Sequence, residues 1–413
     1  VTSDGEVSPS GGSAAAPTAA PAAAPATGAP RRAPRRVLVI TGFGRSIVEM
    51  RGGLITALQK AGLEVTIAAP AEEPGAAAAL AAVGVKFHPL DLDRGGINPL
   101  RELAYIIRIA RSLRRLRPDI VLAIAAKPVV YTGLVARLFP SIVVCSQISG
   151  LGYVFTGQRL RQRVLAIAAR FLYRLALRRS RVVFFQNDDD RAQFIDWGLL
   201  RRAERGAVTN GDGVDLDQFA VRPLPGRGHF LLIARLLSDK GIPEYAAAAR
   251  LVRATHPDAR FRLVGWFDDA NPNAITREAV DGWTADGTIE FLGFQADVRP
   301  ILEDSDVYVL PSHREGLSRT TCEAMAMGRP IVTTDAPGCR QTVVEGSNGY
   351  LVPVNDPVAL AAAMRRFLDD PSLAPRLGAA SRTLAEERYD MREVNARLVA
   401  RMLAGDPRSG ESR

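Results

Sequence analysis

Val37-Leu-Val-Ile-Thr-Gly-Phe-Gly44 decides how this chain is read: four apolar residues, a threonine and a glycine-rich turn, with apolar positions at helical spacing from Ser46 to Ala61 behind them. A short continuous apolar run closed by glycine reads as a strand buried on both faces, and the glycines as a tight turn into a helix. Glu64 to Ala69 supplies a second strand. The unit recurs as helix 101–116 with strand Ile120 to Ile124, and as helix 159–178 with strand Val182 to Phe185. Such alternation predicts a parallel sheet covered by helices on both faces.

Around Asn210-Gly-Asp-Gly-Val-Asp215 and Arg222-Pro-Leu-Pro-Gly-Arg-Gly228 the pattern lapses into turn residues, which marks a domain boundary. A second series follows. Strand Phe230 to Ala234, a helix at 240–255, and strands Phe261 to Val264, Ile289 to Leu292 and Val307 to Leu310 come first. A helix at 319–327, strands Ile331 to Thr333 and Gly349 to Val352, and three helices from 356 onward complete it. The expected fold class is α/β, with two doubly wound, Rossmann-like parallel-sheet domains facing each other across a cleft.

Composition bounds the function. With 413 residues, 47% apolar and 23% charged, the chain can build large cores, and wholesale disorder is excluded. Residues 1–35, nearly all Ala, Pro, Gly, Ser and Thr, read as a disordered tail, and the prolines breaking each alanine run argue against a signal peptide. The longest apolar stretch, Val121 to Phe139, is interrupted by Lys127 and Arg137, short of the roughly 18 residues a membrane span needs. The net charge of +9 favours an anionic partner: nucleic acid, acidic lipid or a phosphorylated substrate. Cys145, Cys322 and Cys339 are too scattered for a disulfide framework, which suits a reducing cytosol.

The glycine turn Gly42-Phe-Gly44 is a defective dinucleotide fingerprint, with Ile47 where the third glycine would stand and Pro70-Ala71 where an acid would be expected. No cofactor is expected. Arg235, just past a strand, and Lys240-Gly241, five residues on, can project from the carboxyl end of a sheet toward a diphosphate. Only Lys60, Lys86, Lys127 and Lys240 among the 53 basic residues are lysine, so Lys240 stands out from the arginine background. The most informative stretch is Pro311-Ser-His-Arg-Glu-Gly-Leu-Ser-Arg-Thr-Thr-Cys-Glu-Ala-Met-Ala-Met-Gly-Arg-Pro330. It sets Glu315 in a loop and Glu323 in the helix after it, carboxylates suited to accepting from sugar or ribose hydroxyls. Asp188-x-Asp190 reads as helix capping, so no metal site is expected, and His313 as a loop histidine outside the catalytic set.

These residues carry a resemblance. The Glu315/Glu323 pair, Arg235 with Lys240-Gly241, and Val264-Gly265 ahead of Leu292-Gly293 resemble a family 4 retaining glycosyltransferase of the GT-B fold, over about residues 37–400. Ser46 to Gly52, Arg94 to Pro99, Lys127-Pro128, Ser149 to Phe155 and Phe185 to Asp190 are similar to the subgroup that adds a sugar such as N-acetylgalactosamine to an undecaprenyl-diphosphate-linked sugar. Ser318 stands where the subgroup commonly has proline, and no histidine lies between His88 and His229 to match the catalytic-loop histidine of many members.

The resemblance implies the following roles. Arg235, Lys240 and Glu315 are the catalytic set. Arg235, Lys240, Glu315, Gly316, Leu317, Ser318 and Glu323 hold the donor, and Gly44, Arg45, Arg94, Asn98 and Lys127 the acceptor. It also implies an acceptor domain at 36–215, a nucleotide-sugar domain at 216–385, and a helix at 386–413 that returns toward the first. The expected partners are a nucleotide sugar, a uridine diphosphate sugar being the expected donor, and a polyprenyl-diphosphate-linked sugar. The expected location is cytoplasmic, peripheral on the inner face of the plasma membrane. The arginine-rich helix around 159–181, with Leu165, Ile167, Phe171 and Leu172 between its basic positions, suits an anionic membrane surface. Nucleic acid is not an expected partner, since no aromatic interleaving accompanies that helix. Two alternatives stand beside this reading: a sugar-nucleotide epimerase or hydrolase on the same fold, and a non-enzymatic basic adaptor at the membrane.

Overall fold

The computed structural model describes residues 35–404 apart from 43–44, 72–74, 93–97, 151–159, 201 and 270, and leaves out the side chains of 45–50, 76 and 160–164. In chain order the first half runs β1 (Arg36–Ile40), α1 (Arg45–Lys60), β2 (Glu64–Ala69), α2 (Ala76–Ala82), β3 (Lys86–Pro89), α3 (Pro99–Leu116), β4 (Ile120–Ile124), α4 (Ala126–Val135), β5 (Val143–Ile148), α5 (Leu160–Leu177), β6 (Ser180–Phe185), α6 (Asp188–Asp196) and β7 (Gly206–Val208). The second half runs β8 (His229–Ile233), α7 (Ile242–Arg253), β9 (Arg260–Val264), α8 (Arg277–Ala285), β10 (Glu290–Phe291), α9 (Arg299–Glu303), β11 (Val307–Leu310), α10 (Arg319–Ala326), β12 (Ile331–Thr334), β13 (Gly349–Val352), α11 (Pro357–Asp369), α12 (Leu373–Tyr389) and α13 (Met391–Leu403).

Two parallel sheets result, in the orders β3-β2-β1-β4-β5-β6-β7 and β10-β9-β8-β11-β12-β13. The central strands β1, β4, β8 and β11 are buried almost end to end, which is why each reads as an unbroken apolar run. The long apolar stretch from Val121 divides into β4 and α4, and no described helix is long and apolar enough to cross a membrane. The strand expected over 289–292 shortens to Glu290–Phe291 at the sheet edge.

The turn-rich stretch after Asp215 is fastened to the second domain. Asp306 accepts from the backbone N–H groups of Gly226, Arg227 and His229, and the buried Arg329 donates to Pro223 O at 3.1 Å. Arg382 Nη1 donates to Phe219 O at 3.1 Å and Ala326 O at 2.8 Å. The chain passes between domains at two places, and these bond to each other: Val214 N–H to Tyr389 O at 2.7 Å, Met391 N–H to Val214 O at 3.0 Å. Beyond that point α13 packs into the first domain, where Leu398, Val399 and Met402 share a core with Val39, Leu54 and Leu58.

In the first domain α4 lies against α5 with almost no gap. A Cβ on Gly133 would stand 2.6 Å from Ala176 O and 2.8 Å from Ala176 Cβ. Because the obstruction includes backbone, Gly133→Ala is expected to lower unfolding free energy by about 1–3 kcal/mol, the usual cost of overpacking. Chemical denaturation followed by circular dichroism measures it, and an unchanged midpoint would show that the two helices separate freely.

Candidate functional site

The second sheet reverses strand order between β8 and β11, and open α/β sheets bind ligands in the crevice beyond the carboxyl ends of the strands at such a point. The segments leaving those strand ends carry Arg235 and Lys240 on one side and Glu315 to Ser318 on the other. They meet directly: Lys240 Nζ donates to Glu315 Oε1 at 2.6 Å, with the side chains 16% and 13% exposed. Lys240 ends a short 3₁₀ turn ahead of α7, so it is no exposed surface lysine. The next residue, Gly241, has φ of 72°, and any Cβ there would run into the carbonyl of Pro311, so glycine is what lets the two loops touch.

The loop is held on its far side too, where Glu315 N–H donates to Pro337 O at 2.9 Å. Ser318 Oγ accepts from Thr321 N–H at 3.2 Å and caps α10, a cap that a proline at this position could not supply. The positive end of α10 therefore begins where the loop ends, which favours an anionic group nearby. Arg235 is exposed and donates to Asp268 Oδ2 at 3.1 Å. His313 Nε2 bonds Glu244 Oε1 at 3.2 Å, outside the Lys240/Glu315 pair.

Glu323 is almost wholly buried within α10 and accepts from Arg319 Nε at 2.7 Å. Burial raises its pKa, and the nearby Arg319 only partly offsets this. Glu323 borders a cavity of about 850 Å3, whose wall also includes Gly52 and Gly53 of α1, Phe219, and Met391 and Val399 of α13. Both glutamates act on Tyr308 of β11: burial first, then the charges of Glu315 and Glu323, push its phenol above the ordinary range. At the ends of β9 and β10, Trp266 and Phe294 stand exposed, edge to face at 5.8 Å.

The first sheet reverses order between β1 and β4. Beyond β4, Ala125 has φ of 78° and ψ of 166°, a conformation nearly confined to glycine, and such strain clusters at functional sites. Two residues on, Lys127 Nζ donates to Glu102 Oε1 at 2.6 Å, and Tyr131 OH donates to Glu102 Oε2 at 2.6 Å. Asn98 is exposed and caps α3, its Oδ1 accepting from Leu100 N–H at 3.0 Å. Arg45 begins α1, while its side chain, like Gly44 and Arg94 altogether, lies outside the described residues.

A polar triangle in the first domain went unread in the sequence. Arg51 Nη1 pairs with Asp212 Oδ1 at 2.9 Å and donates to Gln147 Oε1 at 2.9 Å, and Gln147 Nε2 donates to Asp212 at 3.1 Å. Asp212 lies in the Asn210-Gly-Asp-Gly turn, and an added Cβ on Gly211 would sit 2.5 Å from Leu317 Cδ2, so this turn is pressed onto the Glu315–Ser318 loop. An acid between two glycines after a strand was the available signal, read only as a boundary.

The Asp188–Asp190 stretch needs a correction. Asn187 is the cap of α6, its Oδ1 accepting from Asp190 N–H at 2.7 Å, while Asp188 stays exposed in the first turn and Asp189 and Asp190 reach the second domain. Asp189 pairs with Arg340 at 2.7 Å and accepts from Gln341 Nε2 at 2.8 Å; Asp190, wholly buried, pairs with Arg314. Burial raises the Asp190 pKa against the pull of Arg314 and Asn187. Asn187 Nδ2 donates to Gly316 O at 2.6 Å. Among the described residues no cluster of His, Cys, Asp or Glu has the arrangement of a metal site.

Comparison with known proteins accords with this geometry. Residues 38–187 match the family described as glycosyl transferase 4-like, and 227–370 the family described as glycosyl transferases group 1. An N,N'-diacetylbacillosaminyl-diphospho-undecaprenol alpha-1,3-N-acetylgalactosaminyltransferase of Campylobacter jejuni is 24% identical over 82% of this chain and 90% of its own length. A glycogen synthase of Mycobacterium tuberculosis is 31% identical over 46% of each chain. Among solved structures, Alr3699/HepE of Anabaena in complex with UDP and glucose superposes with a TM-score of 0.70 at 18% identity, covering 89% of this chain and 99% of its own. Sucrose-phosphate synthase of Thermosynechococcus elongatus gives 0.70 at 19%, covering 88% and 97%. With both domains matched in order and the GT-B architecture in place, the chain belongs to the group 1 and 4-like glycosyltransferases.

Proposed function

We propose that this glycosyltransferase moves a sugar, with retention of anomeric configuration, from a uridine diphosphate sugar to a sugar carried on a polyprenyl diphosphate at a membrane surface. The observation that carries the donor half is the Lys240–Glu315 pair at the strand-order reversal, beside the capped start of α10. A diphosphate leaving group gathers charge as the glycosidic bond breaks, so Lys240, Arg235 and the helix start stabilise the transition state more than the ground state. Glu315 and Glu323 accept from sugar and ribose hydroxyls, and the exposed Trp266 and Phe294 offer the base an aromatic face. The leaving phosphate takes the proton of the attacking hydroxyl on the same face, which requires no protein nucleophile. That Alr3699/HepE was solved with UDP and with UDP-glucose supports the choice of donor.

The acceptor half rests on the Campylobacter relative, whose name specifies an undecaprenol-linked substrate, and on the surface around Asn98 and Lys127. On α3, Leu100, Leu103 and Ile107 are exposed at positions i, i+3 and i+7, with Leu100 at 77%. On α5, Ile167 and Phe171 are 66% and 62% exposed, where packing on the core would be the usual fate of such residues. Arg111, Arg114 and Arg174 stand exposed on the same two helices, and Arg178 just past the end of α5. Apolar residues interleaved with arginine fit an interfacial surface on anionic lipid, and α4 packs against both helices. This reading makes the enzyme peripheral.

Three outcomes test the proposal. Lys240→Ala is expected to slow transfer about 10²–10³-fold, the scale of losing one preorganised charge donor. It should also lower stability by about 1–3 kcal/mol, because Glu315 is left with an unpaired, mostly buried oxygen. Adding Glu315→Gln should restore the melting temperature and leave turnover low; recovery of both would mean that Lys240 only neutralises Glu315.

Glu323→Gln is expected to weaken donor binding by about 1.5–3 kcal/mol in calorimetry with UDP, the range for hydrogen bonds to a charged group. Folding stability should hold or rise at neutral pH. A carboxyl whose pKa is raised on folding destabilises the native state once ionised, so its stabilising share is present below the unfolded pKa and lost as pH climbs through the folded value. Unaltered UDP affinity would remove Glu323 from the donor site.

For the membrane, cosedimentation at low salt should recover the wild type with anionic vesicles and not with zwitterionic ones. Ile167→Glu combined with Phe171→Glu should abolish that recovery while turnover of a water-soluble acceptor analogue stays near wild type. Equal partitioning of the wild type into both vesicle types, or into neither, refutes the anionic-surface assignment.

A further inference from the structure

We infer that Asn187 is a positioning residue for glycosyl transfer, supplied by the first domain to hold the Glu315–Gly316 loop of the second in register. The inference rests on the reading above that this loop serves the donor. Asn187 is fully buried, and its amide is divided between two tasks. Its Oδ1 caps α6, and its Nδ2 donates to Gly316 O at 2.6 Å and lies 3.4 Å from Glu315 O.

The loop has no slack against this grip. A Cβ on Gly316 would overlap Gln186 Oε1 and come within 2.8 Å of Ser149 O, so backbone of the second domain is pressed onto the ends of β5 and β6. From behind, Pro337 O accepts from Glu315 N–H, and a Cβ on Gly338 would overlap the Glu315 carbonyl. The residue before Glu315, Arg314, pairs with Asp190, which has no exposed surface. Asp190 Oδ2 and Arg314 Nε are both buried without a hydrogen-bond partner.

An ion pair with one partner fully buried and unmet atoms on both is a weak stabiliser, since desolvation offsets much of its attraction. It is well suited to selecting one register, because sliding the loop would strand the buried carboxylate of Asp190. Lys240 is fixed by Glu315, Glu315 by the loop, and the loop by Asn187 across the domain boundary. The catalytic pair is thus assembled in this geometry only while the domains touch here.

Asn187→Asp separates the two tasks. A carboxylate keeps the cap on Asp190 N–H and removes the donor to Gly316 O, setting acceptor against acceptor. In the full chain without ligand, hydrogen–deuterium exchange of the peptide spanning 313–319 should quicken at least tenfold, with the exchange of β8 and β11 unchanged. With UDP-sugar and lipid-linked acceptor, kcat should fall about 10–100-fold while UDP affinity changes less than threefold. Gly316→Ala, which pries the loop from Gln186, should reproduce both effects.

Unchanged exchange in both variants overturns the inference whatever the wild type turns over. Faster exchange with unchanged kcat overturns the positioning role. Equal loss of kcat, UDP affinity and melting temperature overturns it in favour of a merely structural contact. If the wild type binds no UDP, the donor reading fails, and the exchange measurement alone decides whether Asn187 holds the loop.

Discussion

Parallel strands joined by right-handed crossovers leave a gap wherever the order of the sheet reverses, since the connections on either side depart to opposite faces. In the second domain that gap lies between β8 and β11. It brings together two loops 75 residues apart in the chain and allows a lysine and a glutamate to meet away from most solvent. Other features follow from keeping that meeting intact. Gly241 gives up its side chain so that the loops can approach, Pro337 braces the glutamate from behind, and Tyr308 beneath feels both carboxylates. A strand order without the reversal would leave the same residues on one face with nothing between them.

The first domain repeats this arrangement with different contents. Its reversal point carries Ala125 in a glycine-like conformation and a lysine paired with Glu102. Each domain thus presents a half-buried lysine beside its strand-order reversal, Lys240 after β8 and Lys127 after β4, held by a carboxylate from another element. Arginine, abundant everywhere on this chain, is used differently. Arg314 and Arg340 bind the domains together, and Arg329 and Arg382 fasten the connecting segment to backbone carbonyls. These fastenings confine the passage between domains to the neighbourhood of Val214 and Asp390, where the two crossing strands pair.

How much of this could be read from the sequence depends on how local each cause is. Strands Ile120–Ile124, Val307–Leu310 and Gly349–Val352 were legible to the residue because burial on both faces makes them continuous apolar runs between turn residues. Helix α4 and strand β5 were not. Where Val129, Val130, Val135 and Val144 are all buried, periodicity vanishes and helix and strand look alike. Strand β3 escaped for the opposite reason, as a half-exposed edge. In the candidate site, the placement of Lys240 and Glu315 beyond strand ends and of Glu323 within the following helix was legible. The Arg51–Gln147–Asp212 triangle and the reach of Asp189 and Asp190 across the boundary depend on long-range packing, which local capping rules do not see. Those rules found the right helix start and assigned the cap to the aspartates instead of Asn187.

The placement of α13 bears on how the molecule is made. Leu398, Val399 and Met402 leave the ribosome long after Val37 and Val39, yet they complete the core that those residues begin. Domains usually fold as units in order of synthesis, N-terminal first. Here the earlier domain must wait, with part of its apolar surface uncovered, until the later one has been translated and its final helix has returned. The separation also raises the contact order of the first domain well above that of its own sheet, which slows the last step of its assembly. The second domain, whose core is drawn from a nearly continuous stretch, has no such dependence and can be finished while its elder neighbour is still open.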